Sequence, residues 1–201
     1  INDEAGAFEP SIAPDGKWFA FVSSVDGDAE IYRAAMDGGA RVRLTAFHLD
    51  DVGPRVSPDG KWVVFTSNRE GSDRLFLIAP DGRGTRRLHP EELSKETDGG
   101  VEAAEADAVW TPDGKSVVFS ARAHGGNWHL FRVALSTGKL EQLTEGAHDD
   151  QLPAVSPDGK WIAFVSSRAG NAELFALAPD GGTTRITTSP KSDWKPLWLP
   201  R

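Results

Sequence analysis

A short Pro-Asp-Gly-Lys segment occurs four times in the sequence, and this repetition constrains the fold more than any other feature. The aspartates of the four copies, Asp15, Asp59, Asp113 and Asp158, lie 44, 54 and 45 residues apart. A period of this length is typical of folds in which one supersecondary unit stacks on the next. In each copy, the proline has the fixed φ that suits the second position of a type I turn, and the glycine suits its end. The chain is therefore predicted to contain four equivalent units.

Each copy carries the same order of short apolar runs separated by turns. One run precedes the Pro-Asp-Gly turn, a second follows it, and a third begins after a glycine-containing break. After a second turn comes a fourth run, which ends in Arg-Leu-Thr or a close variant. The runs are rich in β-branched and aromatic residues and are too short for helices, so they are predicted to be strands. The third run contains an aliphatic-aromatic pair in every copy: Ile31-Tyr32, Leu75-Phe76, Leu130-Phe131 and Leu174-Phe175.

A four-stranded sheet of this kind has two apolar faces and cannot bury both alone. Radial stacking of several such sheets buries both faces, which is the principle of the β-propeller. The predicted fold class is therefore all-β, a β-propeller built from four tandem four-stranded blades. The predicted blades span approximately residues 8–45, 52–89, 106–144 and 151–187.

Residues 188–201 resemble the opening of a fifth repeat and are predicted to be an extra first strand for ring closure. The first blade already has its own first strand, so the sequence contains five first strands and four of each other type. Three arrangements remain open: a segment of a larger ring, a four-bladed ring with one end displaced, or a half-ring completed by a second copy. An open stack would leave an apolar sheet face exposed at each end. Homo-oligomer formation that closes the ring is therefore one expectation.

Composition excludes several classes of function. The net charge of −8 disfavours binding to the phosphate backbone, so no nucleic-acid partner is expected. Apolar runs fall well short of the roughly 20 residues that cross a bilayer, so no membrane insertion is expected. The absence of cysteine rules out thiol catalysis and cysteine-ligated zinc.

Together, the Ser-Pro-Asp-Gly-Lys turn, the aliphatic-aromatic strand and the Arg-Leu-Thr ending resemble the WD40-like repeat of the TolB β-propeller family. The same repeat is similar to the propellers of tricorn-type and prolyl-oligopeptidase-type peptidases. The resemblance to TolB implies a non-catalytic scaffold that binds a protein or peptide in the periplasm or outside the cell, although a cytoplasmic location stays open. One alternative is the substrate-gating propeller of a serine peptidase, and another is a propeller that binds a metal or a small molecule. The sequence contains no Gly-x-Ser-x-Gly elbow and no P-loop.

In each later repeat, an acidic residue lies three positions before the place in the first strand that most copies fill with proline. If these strands line an axial channel, their carboxylates gather at one mouth and attract a basic peptide or a cation such as calcium. The alternative is that they are solvated loop residues that cap turns. The residues concerned are Asp51, Glu105, Asp150 and Asp193.

Three further groups are candidates for function. The histidines and neighbouring aspartates of two entry loops could form a fragment of a metal site, although loop histidines are usually just exposed. The acidic insertion at residues 89–107 and two tryptophans outside the repeat pattern are candidate partner-binding elements. The equivalent tryptophans Trp18, Trp62 and Trp161 are predicted to be structural. The metal candidates are His48, Asp50, His148 and Asp149, and the partner-binding candidates are Glu91, Glu92, Trp128 and Trp194.

Overall fold

A computed structural model of the chain describes residues 6–39, 41–89, 103–122 and 126–199. Within these ranges all regular structure is β-strand, arranged as four antiparallel sheets of four strands each. The predicted all-β propeller class is therefore confirmed at the level of its blades. The chain divides into two compact units of two sheets each, residues 1–90 and residues 91–201.

In the N-terminal unit each sheet is a simple meander in chain order. The strands of blade 1 are β1 (Ala7–Ile12), β2 (Trp18–Ser23), β3 (Glu30–Ala35) and β4 (Val42–Arg43). Those of blade 2 are β5 (Asp51–Val56), β6 (Val63–Ser67), β7 (Arg74–Ile78) and β8 (Arg86–Arg87).

The C-terminal unit repeats this arrangement. The strands of blade 3 are β9 (Ala104–Trp110), β10 (Ser116–Arg122), β11 (His129–Ala134) and β12 (Leu140–Gln142). Those of blade 4 are β13 (Asp150–Val155), β14 (Ile162–Ser166), β15 (Glu173–Leu177) and β16 (Thr183–Arg185).

The Pro-Asp-Gly turn closes the first hairpin of each blade through local hydrogen bonds. In blade 2, the Gly60 N–H donates to the Ser57 carbonyl at 2.9 Å, as in a type I turn. The Ser57 hydroxyl donates to Asp59 Oδ1 at 2.7 Å and accepts from the Trp62 N–H at 3.0 Å. Blade 4 has the same bonds at Ser156 and Asp158. The recurring motif is thus a turn that sets the register of two strands.

The first strands share a backbone feature that the sequence did not reveal. The residue just before the proline position has a positive φ in every copy, and a register irregularity marks the same place in all four sheets. Such a bulge bends the strand and increases its twist. Lys195 has the same conformation, although residues 188–199 lie outside the sixteen strands. The φ values are 53° at Glu9, 65° at Gly53, 57° at Asp107, 54° at Leu152 and 59° at Lys195.

The hydrophobic core of each unit lies between its two sheets. In the N-terminal unit, one face of blade 1, including Trp18 and Val22, packs against Phe65 and Phe76 of blade 2. In the C-terminal unit the equivalent faces of blades 3 and 4 form the core. The residues of that second cluster are Val118, Leu130, Ile162, Phe164, Phe175 and Leu177.

Blade 1 holds the only tyrosine of the sequence, which makes its ionisation directly measurable. Burial, together with the Asp26 carboxylate that accepts its hydroxyl, raises the pKa of Tyr32 from 10.0 to about 12. Because this folded-state pKa lies above the unfolded value, the associated stability is present below pH 10 and is lost as pH rises towards 12. We expect a phenolate absorbance titration to have its midpoint near 12 in the folded protein.

The variant Asp26→Asn should lower that midpoint while leaving it above 10, because burial, the larger cause, remains. Asp28→Asn, an exposed neighbour, is the matched control and should leave the titration unchanged. A wild-type midpoint at the ordinary value of 10 under folded conditions would contradict this account.

Candidate functional site

Two of the four predicted channel-mouth carboxylates form buried ion pairs. Asp51 and Asp150 begin the first strands of blades 2 and 4, and both side chains are fully buried. Arg69 Nη2 lies 2.8 Å from Asp51 Oδ2, and Arg168 Nη2 donates to both oxygens of Asp150 at 2.9 and 2.8 Å. Burial raises the pKa of Asp51, although the Arg69 guanidinium opposes this shift. These carboxylates anchor loops and do not present free negative charge.

The other two predicted carboxylates have different surroundings. Glu105 is buried on β9, with 1% of its surface exposed. Asp193 is half-buried, and its main-chain N–H donates to the Ala172 carbonyl at 2.8 Å. Three of the four acids are thus buried and do not line an exposed mouth. Each is the first or second residue of its strand, and its side chain lies inside the blade.

The metal candidates are not brought together. His48 is exposed and packs beside Phe47, with ring centroids 6.2 Å apart. Asp50 Oδ1 accepts the Ala29 N–H, and Asp149 Oδ1 accepts the Trp128 N–H at 2.9 Å. Among the residues that the structure describes, no group of three or more His, Asp or Glu side chains could hold a metal ion. The described residues therefore do not support a metal site at these loops.

In the C-terminal unit, His148 contacts His129, which the sequence analysis did not identify as a candidate. His129 and His148 lie edge to face with ring centroids 6.4 Å apart. His148 Nε2 is 3.5 Å from Asp150 Oδ2. Burial lowers the pKa of His129, which favours the neutral imidazole.

Sequence reasoning missed a second pair of buried acids, Glu30 and Glu173. Each begins the third strand of its blade and is fully buried. Glu30 accepts from the Thr45 hydroxyl, from Arg43 Nη2 at 2.7 Å and from the Phe47 N–H at 2.7 Å. The Arg-Leu-Thr ending of the fourth run supplies two of these donors, so this ending was the available signal.

In blade 4 the same arrangement surrounds Glu173. Its carboxylate accepts from the Thr187 hydroxyl and from Arg185 Nη2 at 2.8 Å. The Thr187 hydroxyl is the main cause that lowers the pKa of Glu173. These acids tie the fourth strand of a blade to its third and are structural.

The two tryptophans predicted to bind a partner lie at different points of the C-terminal unit, Trp128 just before β11 and Trp194 after β16. Glu91 and Glu92 lie outside the described residues. Trp128 is half-buried, with the Arg122 guanidinium 5.2 Å from its ring centroid. Trp194 is 58% exposed.

An apolar surface on blade 4 corresponds to a buried surface on blade 1. Trp161 and Ile186 are the repeat equivalents of Trp18 and Leu44, which are 8% and 6% exposed. Trp161 is 39% exposed and Ile186 is 59% exposed, so the tryptophan predicted to be structural at this repeat position is buried in blade 1 but not in blade 4. Blade 4 has no following blade on this side within the described residues of its unit.

Part of the predicted fifth repeat lies against this surface. Trp198 Nε1 donates to the Ala154 carbonyl of β13 at 2.8 Å. Together with Trp161, Ile186 and Leu199, Trp198 lines a cavity of about 550 Å³. Leu197 and Leu199 remain 84% and 78% exposed. We call this surface, formed by Trp161, Ile186, Trp198 and Leu199, the blade 4 end face.

Bulged first strands, meandering four-stranded sheets and buried acid-arginine pairs define a repeat protein of the β-propeller class. The family model described as the TolB beta propeller domain matches residues 2–101 and 91–201. The chain therefore belongs to the TolB β-propeller family.

Similar proteins include two TolB proteins and one peptidase. The chain is 28% identical over 170 residues to a TolB homolog from Chlorobium luteolum, covering 85% of this chain and 36% of that protein. It is 28% identical over 168 residues to the uncharacterized peptidase YuxL from Bacillus subtilis, covering 83% of this chain and 22% of that protein. The crystal structure of TolB from Acinetobacter baumannii superposes with a TM-score of 0.69 at 28% identity, covering 86% of this chain and 41% of that one. The chain thus spans less than half the length of each of these proteins.

Proposed function

We propose that this chain is a non-catalytic β-propeller scaffold that binds a protein or peptide partner. The observation that carries the proposal is the blade 4 end face, a contiguous aromatic and aliphatic surface with large exposed fractions. Surfaces of this kind mark sites of protein interaction. The buried carboxylates of Asp51, Asp150, Glu30 and Glu173 are each engaged with an arginine, which is consistent with a structural role for these four acids.

The occupant we propose for the blade 4 end face is the first blade of a second copy. Within each unit, such a face packs against the opposite face of the next blade, as Trp18 does against the face that holds Phe65. Phe21 is the repeat equivalent of Phe65, and with Phe8 and Phe19 it lines a hollow of about 160 Å³ on blade 1. Contact between unlike faces of two copies is a heterologous interface, which can close a ring.

Self-association is tested by measuring the molar mass in solution by light scattering. We expect the wild type to exceed the mass of one chain, and Ile186→Asp to shift it to one chain because a carboxylate cannot be desolvated there without a partner. Leu49→Asp is the matched control, because Leu49 is 43% exposed and lies in the loop between blades 1 and 2, outside both surfaces of the proposed interface. A wild-type mass of one chain across the concentration range would contradict the second-copy proposal.

We further propose a periplasmic or extracellular location and a basic partner. The net charge of −8 favours approach of a cationic ligand. Asp193 and Trp194, which remain accessible, are the residues of the predicted set that we assign to partner contact. Within the described ranges, no helix is long and apolar enough to span a membrane.

A second candidate function is that of the gating propeller of a serine peptidase. The similarity to YuxL, which extends over 83% of this chain, favours it. The test is to express the longest protein that contains this chain and to assay the labelling of a nucleophilic serine by a fluorophosphonate probe. Labelling outside these residues supports the peptidase assignment, and its absence supports the scaffold.

A further inference from the structure

Arginines at one repeat position sit in matching surroundings in the two units. Arg69 of blade 2 and Arg168 of blade 4 both pair with the first carboxylate of their blade. Each guanidinium also lies over two phenylalanine rings of its own blade. The distances to the ring centroids are 5.4 Å to Phe65 and 4.6 Å to Phe76 for Arg69, and 5.4 Å to Phe164 and 4.9 Å to Phe175 for Arg168.

A third ring covers Arg69, whereas among the described residues no third ring lies over Arg168. The ring centroid of Phe47 lies 5.0 Å from the Arg69 guanidinium carbon. Phe47 follows Thr45 by two residues. In the C-terminal unit the residue two positions after the equivalent Thr144 is Gly146. Gly146 has a φ of +119°, and a Cβ there would lie 2.5 Å from His148 Cε1, so a side chain at this position would be strained and would displace the His148 ring.

The neighbouring turn leaves a second gap beside Arg168. At Gly82 of blade 2, an added Cβ would lie 3.4 Å from the Leu44 carbonyl oxygen, so this turn closes against the preceding blade. At the equivalent Gly181, nothing lies within 4 Å of an added Cβ. Four residues separate Gly82 from Arg87, whereas three separate Gly181 from the equivalent Arg185, so the turn of blade 2 is one residue longer.

A cavity of about 450 Å³ lies beside Arg168, between the loop that precedes Gly146 and the turn at Gly181. The donors of Arg168 are engaged with Ser166, Asp150 and Thr183, so its charge is already paired. Arg168 lines the cavity with 21% of its side chain exposed, so a ring that enters the cavity can contact the guanidinium. We call this site the Arg168 cavity, and its lining residues are Gln142, Leu143, Thr144, Glu145, Arg168, Gly181 and Thr183.

We propose that the Arg168 cavity binds an aromatic side chain of a peptide, which stacks on Arg168 as Phe47 stacks on Arg69. Arginine faces attract aromatic rings by cation–π and stacking interactions. The exposed Glu145 carboxylate at the cavity favours a ring with an N–H donor, so indole is the preferred ring. This inference rests on the proposed peptide-binding function and assigns a site to it.

The direct test is NMR of the arginine Nε–Hε resonances during titration with N-acetyl-tryptophanamide. We expect a ring-current shift at Arg168 and none at Arg69, which Phe47 already covers. N-acetyl-leucinamide is the control ligand and should leave both resonances in place. Equal shifts with both ligands, or no shift at Arg168 up to the solubility limit, would overturn the proposal.

Two variants distinguish a loss of ligand binding at the cavity from a general loss of stability. Gln142→Trp should fill the cavity and lower the affinity for N-acetyl-tryptophanamide about fivefold or more. Arg168→Lys should lower it similarly because it removes the planar face, whereas the matched Arg69→Lys should lower thermal stability comparably and leave affinity unchanged. An affinity loss that is equal in both arginine variants would indicate a structural effect and contradict the proposal.

Peptide binding to the wild type and to Gln142→Trp distinguishes a wrong binding site from the absence of peptide binding. If a selected peptide binds the wild type and Gln142→Trp equally, the Arg168 cavity is not the site, while peptide binding itself stands. If no peptide binds either protein, the proposed function fails first.

Discussion

Replacement of Phe65 by alanine is expected to lower the free energy of unfolding by about 3–5 kcal/mol, because it removes a large side chain from a core that cannot close around the cavity. Phe65 is fully buried in the middle of β6. It packs against Phe76 at 5.9 Å between ring centroids and lies in the cluster that joins blades 1 and 2. Urea denaturation followed by circular dichroism measures the loss.

The matched control is Phe8→Ala, which removes the same ring from a strand position that is 43% exposed. Its cost should be smaller, about 1–2 kcal/mol, since nearly half of its surface already contacts water. Phe164, at the same repeat position in blade 4, should respond like Phe65. A Phe65→Ala variant as stable as Phe8→Ala would contradict the packing of the two blades against each other.

The fold was predictable from the sequence because its signals are local and occur four times. Ser57, Pro58 and Asp59 specify a turn through contacts within three residues, and each copy confirms the others. The positive φ at Leu152 and Lys195 was not predictable, because neither residue type favours that conformation.

The candidate site was less predictable because burial depends on partners that are distant in sequence. Asp51 stands in an acidic entry loop and has the pattern of a solvated residue, yet Arg69, eighteen residues later, neutralises it inside the blade. The same limit applies to Gly146. Its importance follows only from comparison with Phe47, because a cavity lined by Arg168 lies where the matching ring is missing.

Replacement of Glu30 by alanine is expected to lower the free energy of unfolding by about 3 kcal/mol, because breaking a buried ion pair leaves its partners uncompensated. The variant removes the acceptor for three donors at once: Arg43, the Thr45 hydroxyl and the Phe47 N–H. Glu30→Gln should cost less, since the amide oxygen can still accept part of this set. Thermal and urea unfolding of the three proteins measures the order.

An exposed ion pair provides the contrast. Lys61 Nζ lies 3.5 Å from Asp59 Oδ2 with 76% of the lysine side chain exposed, and exposed pairs of this kind contribute at most about 1 kcal/mol. Lys61→Ala should therefore leave stability nearly unchanged. If Glu30→Ala were no more costly than Lys61→Ala, the carboxylate would not hold the fourth strand and the following loop to the blade. In that case the Arg-Leu-Thr ending would act through the packing of its leucine alone.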